Sequence, residues 1–408
     1  MTLALVASFL FAQDLSELSP GISSGSLPKM AAAHDSSNND VNNDIVSAFN
    51  SIATAKWDSV ADSLRANGGV ATIDFIPPGI CNVHATCFET AWRGLDVAKR
   101  NRDGDTSSTI KRIGPNDDSA HATGYHCAGS DGSSMSRYNS YREGFVFSDG
   151  NIFNVDLGEK DSEKRRGKTF QSDMESFFAS MHDAIAVNVL RAIARNLGCG
   201  DEDWFQANLG PTDESSQWHV KRYVCPTATG SEKNQSSECD DNGDAEEEIE
   251  WLPVHTDPSL ISIVLHDVPG KREGAMGLQY QVQDSSISTD SNPKSLKKIW
   301  VDVPWHGHAV ATVFVGSVLS YITGNLYPGA KHRVVYRPST NIDVSERVAA
   351  TLFVRPRGDC KLLVPPSPLF LTAEGNSSVR IRNTTFDVWL ARVSRNYMKG
   401  RKKNDKSK

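Results

Sequence analysis

The 408-residue sequence predicts an α+β protein with a double-stranded β-helix, or jelly-roll, core and flanking helices that lie mainly on the N-terminal side. Two observations predict this fold class. After residue 200 the chain contains short runs of β-branched and aromatic residues separated by turn residues, which is typical of antiparallel strands in two packed sheets. Before residue 200, apolar residues recur at helical spacing. A phosphate-binding glycine loop does not interrupt the strands, which disfavours a parallel α/β sheet.

Composition divides the chain into four parts. Residues 1–41 are predicted to be a flexible leader, because from residue 13 onward they are rich in Ser, Asn and Asp and lack apolar periodicity. Residues 42–200 form a predicted helical cap region, and residues 201–360 form the jelly-roll core. Residues 361–408 are predicted to be a C-terminal helix and a basic tail.

The elements of the cap region follow from apolar spacing and from residues that end helices. The predicted elements are a helix over 44–66 ended by Asn67-Gly68-Gly69, a strand over 70–76, a helix over 82–100 capped by Asn82, and a long helix over 172–197. The long helix carries a stripe of Met, Phe, Ile and Val and stops at Gly198, so we expect it to pack against the core.

The strands of the core are predicted from β-branched and aromatic runs. They cover residues 217–226, 260–265, 278–282, 299–303, 310–315, 319–322, 333–336 and 348–354, and a helix over 386–398 follows them. The stretch 227–250 is rich in acids but lacks the alternating ligands of a calcium loop, so we interpret it as a solvated insertion. The stretch 284–296 is interpreted as a second insertion.

A candidate metal site lies in the segment from Trp251 to Leu265, just after the acidic stretch. In an extended segment, residues two apart face the same side, so His255 and Asp257 can present an imidazole and a carboxylate together. His332 opens a later β-branched run and supplies a third ligand. Two histidines and one carboxylate with open positions are typical of non-haem Fe(II) oxygenases.

Other histidines leave alternatives open. His266, His306 and His308 compete as the third ligand, and His332 is preferred because it heads a strand that an arginine-bearing strand follows. A cluster between residues 121 and 127 contains His and Cys, but its spacing matches no known ligand set, so it is interpreted as a loop.

The order of these motifs resembles the isopenicillin N synthase-like family of Fe(II)/2-oxoglutarate-dependent dioxygenases. The motifs that carry the resemblance are His255-Thr256-Asp257, Gly277-Leu278-Gln279, Trp300-Val301-Asp302-Val303-Pro304, Thr323-Gly324-Asn325, His332-Arg333-Val334 and Arg347. The match is clear from about residue 201 to residue 355 and loose before it.

The resemblance implies roles for several residues. Iron would be bound by His255, Asp257 and His332, the three catalytic residues. Arg347 and Tyr223 would bind 2-oxoglutarate. Two of the positions discussed here depart from the family pattern.

The first departure is Lys221, which stands where the family usually has asparagine, and the second is Ala349, which stands where it usually has serine. The resemblance also makes Tyr125, Tyr138 and Arg142 candidate substrate contacts. Loss of the serine hydroxyl removes one expected donor to the co-substrate.

The implied function is oxidation of a small organic molecule, by hydroxylation or desaturation, with succinate and CO2 as co-products. The implied cofactors are Fe(II) and 2-oxoglutarate as co-substrate, with ascorbate as an auxiliary reductant. One alternative is a keto-acid-independent Fe(II) oxidase of the isopenicillin N synthase type. Another is a catalytically inactive jelly roll that serves as a binding module.

The net charge and the spacing of the cysteines limit the kinds of binding partner and the cellular compartment that we expect. The chain has 43 basic and 50 acidic residues, a net charge of −7, which disfavours nucleic acid or an anionic membrane as its partner. We expect a small-molecule substrate, O2 and a monomer. Seven cysteines without paired zinc spacing favour reduced thiols in the cytoplasm. Thr2 to Ala12 is apolar and leaves a signal or targeting peptide open, although no basic residue precedes it.

Overall fold

A computed structural model gives the structure of the chain. It describes residues 36–100, 110, 113, 123–127, 141–148, 150–158, 169–212, 215–224, 248–267, 274–283, 298–336, 346–372 and 377–404. The predicted insertions over 227–250 and 284–296 lie almost entirely outside the described residues. Tyr138 and most of the predicted leader lie outside them as well.

Helices make up most of the N-terminal half. They are α1 (Ser36–Asn50), α2 (Thr54–Ala66), α3 (Pro78–Arg100), α4 (Phe170–Ala179), a π-helical segment (Ser180–Ala186), α5 (Val187–Leu197) and α6 (Trp204–Leu209); later come α7 (Ser317–Ile322), a short 3-10 helix (Pro368–Phe370) and α8 (Phe386–Asn404). The stretch Phe170–Leu197 is long and apolar enough to cross a membrane, but 72% of its most apolar window is buried inside the protein. It is therefore a core helix here, as its apolar stripe predicts.

Eleven strands form two antiparallel sheets among the described residues. They are β1 (Val70–Ile73), β2 (Gly124–His126), β3 (Arg142–Ser148), β4 (Gln217–Val224), β5 (Ile249–His255), β6 (Ile261–Asp267), β7 (Gly274–Gln283), β8 (Lys298–Trp305), β9 (Ala311–Val315), β10 (His332–Tyr336) and β11 (Glu346–Val354). The seven-stranded sheet has the order β1-β9-β6-β11-β4-β3-β2, and the four-stranded sheet has the order β5-β10-β7-β8. This arrangement confirms the predicted α+β jelly roll.

The seven-stranded sheet has two different faces. Its outer face packs against the helices, and the π-helical segment contacts both β6 and β11. This side contains the larger core, with Phe177, Ile185 and Trp218 buried in it. The inner face meets the four-stranded sheet over a smaller cluster that includes Trp251 and Phe314. The smaller apolar cluster leaves space between the sheets for polar side chains.

Several predicted element boundaries are wrong. The helix predicted over 44–66 is two helices with a break at residues 51–53, and α1 already begins at Ser36 inside the predicted leader. The third helix begins at Pro78, so Asn82 lies within its first turns and does not cap it. Proline fits a first helical turn because its missing N–H would have no partner there.

The most consequential error concerns residues 319–322, which were predicted as a strand. They belong to α7, where Val318, Leu319 and Ile322 are all buried. A short apolar run does not distinguish a strand from a buried helical turn. The turn begins immediately after Gly316, where a Cβ would lie 2.0 Å from the Ser259 carbonyl oxygen. Glycine thus permits the close approach that places α7 beside the candidate metal site.

Candidate metal centre and co-substrate pocket

Three predicted ligands lie together and line one cavity. His255 ends β5, His332 begins β10, and the two are directly paired across these antiparallel strands. Asp257 follows two residues after His255. One potential ligand atom from each residue lies within 4.8 Å of the others. The Nε2 atom of His255 is 3.3 Å from Asp257 Oδ1, and the Nε2 atom of His332 is 3.5 Å from Asp257 Oδ2.

Local contacts orient each of these side chains. The Nδ1 atom of His255 is 2.8 Å from the Pro253 carbonyl oxygen, and the Nδ1 atom of His332 is 3.2 Å from the Ala330 carbonyl oxygen. If each Nδ1 carries the proton and donates it to its carbonyl, each Nε2 keeps the lone pair that a metal requires. The ring of Phe314 stacks on His332 with 4.6 Å between the ring centroids. Both imidazoles are therefore held with Nε2 toward the carboxylate.

Backbone contacts fix Asp257 from the other side. The Ser317 backbone N–H donates to the Asp257 carbonyl oxygen at 2.8 Å, and the Ser317 hydroxyl donates to the same oxygen at 3.0 Å. These bonds connect the first turn of α7 to the ligand segment. The Asp257 side chain is 4% exposed, so its carboxylate faces the interior.

The electrostatics of the cluster favour the protonation states that bind metal. Burial alone would raise the pKa of Asp257, but the charges of His332 and His255 and hydrogen bonds from His255 and Ser262 outweigh it and lower the pKa below its ordinary value. Burial lowers the pKa of His332 to about 4, although Asp257 opposes this shift. At neutral pH the cluster therefore holds an ionised carboxylate and a neutral His332 imidazole.

Arg347 lies in the same cavity. It is 0% exposed, and its register partner across β4 and β11 is Tyr223, whose ring centroid is 4.4 Å from the guanidinium carbon. Burial lowers the pKa of Arg347 to about 10, against the opposing effect of Tyr223. The side chain still carries its charge at neutral pH.

Orphaned polar atoms show what the cavity can accept. Asp257 Oδ2 makes no hydrogen bond, and none of the three guanidinium nitrogens of Arg347 has a well-formed acceptor within the described part of the chain. Buried polar atoms without partners are rare and costly, so a ligand that satisfies these atoms would be stabilised in the cavity. A divalent cation fits Asp257 and the two imidazoles, and a carboxylate fits the guanidinium. Both groups line the same cavity.

Comparison with known proteins agrees with this chemistry. Residues 233–356 match the family model of the 2OG-Fe(II) oxygenase superfamily. They form a 2OG-Fe(II) oxygenase domain. The matched range contains all three residues of the metal cluster and Arg347. None of the curated proteins matches the chain.

Solved structures share the fold of this oxygenase. A full-length Neurospora crassa protein in complex with alpha-KG is 15% identical, with a TM-score of 0.56 and coverage of 86% of this chain and 94% of that chain. A putative 2OG-Fe(II) oxygenase family protein from Caulobacter crescentus is 17% identical, with a TM-score of 0.52 and coverage of 84% and 94%. JOX2 in complex with 2OG, Fe and JA is 15% identical, with a TM-score of 0.50 and coverage of 82% and 79%.

The chain is thus a non-haem Fe(II)- and 2-oxoglutarate-dependent dioxygenase, and Fe(II) and 2-oxoglutarate are its cofactors. The predicted isopenicillin N synthase-like branch is consistent with this superfamily.

The competing histidines of this oxygenase lie elsewhere. His308 Nε2 is 2.8 Å from Asp267 Oδ1, and the same carboxylate accepts a 2.6 Å hydrogen bond from Trp92. His306 is exposed and outside the cavity wall. His266 does line the cavity, but it belongs to the Arg347 end, where burial and the arginine hold its pKa well below the ordinary value. None of these three belongs to the metal cluster.

Of the three candidate substrate contacts, the structure places only one in the cavity wall. Arg142 lines the cavity. Tyr125 does not, because it is buried in the larger core and its hydroxyl donates to Glu143 at 2.9 Å. Tyr138 lies outside the described residues.

Sequence reasoning missed two polar contributors to the cavity wall. His219 and Thr351 are register partners on β4 and β11, and both line the cavity. The signal that could have found His219 is strand periodicity, because His219 and Lys221 precede Tyr223 by four and two residues and share its face.

Proposed function

We propose that this oxygenase oxidises a small organic molecule, by hydroxylation or desaturation, with His255, Asp257 and His332 as its iron ligands. In this proposal Arg347 binds the distal carboxylate of 2-oxoglutarate. The observation that supports it most directly is that the metal cluster and the unsatisfied Arg347 guanidinium share one buried cavity. A keto acid with one charged end and one chelating end suits such a cavity.

Each residue of the cavity has a role that follows from its position. Arg347 offers a planar fork of N–H donors that matches a carboxylate, so it fixes one end of the co-substrate. The Tyr223 ring supports the guanidinium from one side. With that end fixed, the keto-acid end is directed toward the cluster of His255, Asp257 and His332. When bound, Fe(II) and 2-oxoglutarate supply the oxidation by O2, with succinate and CO2 as co-products.

Apolar side chains also contribute to the cavity. Leu252, Leu278 and Val334 line it and are buried, and Phe314 covers the outer face of the His332 ring. Because Arg347 is fully buried, its charge interaction with a carboxylate is stronger than it would be in water.

Succinate release from 2-oxoglutarate tests the proposal. Purified protein with Fe(II) should release succinate, and candidate small molecules should stimulate the release. Asp257→Ala should abolish it, whereas the matched control His306→Ala, an exposed histidine outside the cavity, should retain it. Oxygen consumption by the wild type in the complete absence of a keto acid would favour the keto-acid-independent oxidase instead.

A further inference from the structure

Charge is distributed unevenly along the sequence. Residues 361–408 contain 11 of the 43 basic residues but only 3 of the 50 acidic residues, so the preceding 360 residues contain 32 basic and 47 acidic ones. The C-terminal part is strongly positive, whereas the rest of the chain is strongly negative. The net charge of −7 is an average that conceals the positive part. A surface built from that part attracts anions even though the whole protein is acidic.

Exposed apolar side chains are concentrated in the same part of the chain. Five large apolar side chains are exposed among the described residues, and four of them, between 42% and 58% exposed, are Leu363, Leu369, Leu371 and Val388. The fifth, Val254, belongs to β5. Single exposed apolar residues are normal on a protein surface, but several of them in one region mark a contact surface.

The four apolar residues belong to one small substructure. An antiparallel bridge pairs Lys361 with Thr385, and a second pairs Leu371 with Ser377. The stretch that ends at Leu371 and the stretch that starts at Ser377 therefore run side by side in opposite directions, and α8 follows directly. Each of the four apolar residues lies within three positions of a bridged residue. We call residues 361–372 and 377–395 the C-terminal unit.

The inner side of the C-terminal unit is already packed against the protein. Leu362, Phe370 and Trp389 are buried, and the Trp389 ring lies 6.0 Å from that of Tyr321 in α7. The Arg382 backbone N–H donates to the Tyr321 hydroxyl at 2.7 Å. These buried residues attach the unit to the protein. The exposed leucines beside them in the sequence are therefore available for an outer contact.

Basic side chains accompany the exposed leucines. Lys361, Arg380, Arg382 and Arg395 are exposed, and Asp387 is the one acidic residue among the described residues of the unit. Leucines beside cations fit a partner that is both apolar and anionic, which is the chemistry of an anionic lipid membrane. The phosphates of a nucleic acid would engage the cations but would leave the leucines uncovered.

We propose that the C-terminal unit, together with the basic sequence 399–408 that follows it, docks the oxygenase on an anionic lipid membrane. The leucines enter the headgroup region, and the cations contact anionic headgroups. The described residues of the unit do not line the cavity around Asp257 and Arg347. Docking is therefore separate from the proposed function and leaves the co-substrate cavity unchanged.

Flotation of the purified full-length protein with phospholipid vesicles tests the docking. Vesicles of phosphatidylcholine with about 30% phosphatidylserine should carry the protein upward in a density gradient, and vesicles of phosphatidylcholine alone should not. An increase in salt from about 0.1 M to about 0.5 M should weaken the binding, because ions screen exposed charges. Leu369→Ser combined with Leu371→Ser should weaken the affinity for anionic vesicles roughly tenfold or more, because buried apolar area contributes to interfacial binding.

Matched variants separate the contribution of charge. Arg380→Gln combined with Arg382→Gln should weaken vesicle binding roughly tenfold or more. Lys99→Gln combined with Lys298→Gln removes the same charge from exposed positions elsewhere and should leave vesicle binding as it is. All of these variants should keep the wild-type melting temperature and 2-oxoglutarate affinity, because the substituted side chains are exposed and outside the cavity.

Three results would overturn the docking. The first is a failure of the wild type to float with the anionic vesicles, and the second is equal flotation with both kinds of vesicle. The third is binding of a DNA duplex, undiminished by the leucine substitutions, in place of vesicle binding, which would assign the surface to nucleic acid. Each of these results leaves the proposed function intact, since succinate release from 2-oxoglutarate tests it separately.

Discussion

Arg347 and Tyr223 face each other as register partners on adjacent strands, with the guanidinium carbon 4.4 Å from the centre of the tyrosine ring. Cation–π contact of this kind partly compensates a buried charge. It does not satisfy the N–H donors of the guanidinium, which remain without well-formed acceptors among the described residues. The arginine is therefore positioned and charged in advance of ligand binding, and this has a measurable consequence.

Arg347→Leu should raise the dissociation constant of 2-oxoglutarate by roughly two orders of magnitude, because truncation of a buried charge pair costs about 2–5 kcal/mol. Metal affinity should persist. The variant should melt no lower than wild type in the absence of co-substrate, since a similarly sized apolar side chain replaces an unpaired buried charge. Calorimetry and thermal melting with and without 2-oxoglutarate measure both effects. Arg357→Leu, at an exposed arginine, is the control, and unchanged 2-oxoglutarate affinity in Arg347→Leu would contradict the assignment.

Ala349→Ser should tighten 2-oxoglutarate binding by about 1 kcal/mol, because it returns a hydroxyl donor to the cavity wall two residues from Arg347. Ala349 is 3% exposed and lies opposite His266 and Lys221, so the added oxygen faces the polar part of the cavity. Titration of 2-oxoglutarate against both proteins measures the change. Weaker binding would mean that the oxygen is crowded or that another residue already fills its place.

Each of His255→Ala, Asp257→Ala and His332→Ala should abolish Fe(II)-dependent activity and weaken metal binding, because the three ligands act as one unit. Dialysis against a chelator followed by metal titration measures binding independently of turnover. His306→Ala should bind metal as the wild type does. Full metal affinity in His332→Ala would move the third ligand to another residue.

Lys221→Met should stabilise the protein at neutral pH, and the gain should shrink as the pH rises. The folded-state pKa of Lys221 is lowered, so the unfolded chain binds the extra proton more readily, and wild-type stability increases with pH up to the ordinary lysine pKa of about 10.4. Above that pH the lysine is neutral in both states and the cost disappears. Chemical denaturation at several pH values checks the slope. A difference between the two proteins that does not vary with pH would show that Lys221 is paired in the folded state.

Glu143→Gln should lower the free energy of unfolding by about 1.5–3 kcal/mol, because the buried Arg222 guanidinium loses one charge-assisted partner and keeps only Asp96. Both side chains of this pair are 3% exposed, and Tyr125 donates to the same carboxylate. Urea denaturation measures the loss. Asp359→Asn removes the partner of the exposed Arg357 and should leave the unfolding midpoint unchanged, as exposed pairs contribute little.

The sequence was sufficient to predict most strands of the core, because side chains alternate along them, but β3 and β5 were not among the predicted strands. It was also sufficient to bring His255, Asp257 and His332 together as candidates. It could not predict α7, since Leu319 and Ile322 are compatible with a strand or a helix and the backbone contacts with Asp257 decide between them.

The pairing of residues across neighbouring strands could not be predicted from the sequence either. The position of Lys221 next to Ala349 and Gly144 depends on the register of β3, β4 and β11, which are distant in sequence. A single sequence contains no direct record of such register. The boundaries of the four predicted parts, likewise, remain predictions.

The edge strand β1 has a consequence for how the protein is made. It pairs with β9, and Val70 lies opposite Phe314, the residue that stacks on His332. More than half of the chain is synthesised between Ile73 and Ala311, so β1 leaves the ribosome long before its partner exists. Such a distant pairing closes slowly. The first strand therefore stays unpaired until β9 has been synthesised, and the iron site can be completed only after His332 has been translated.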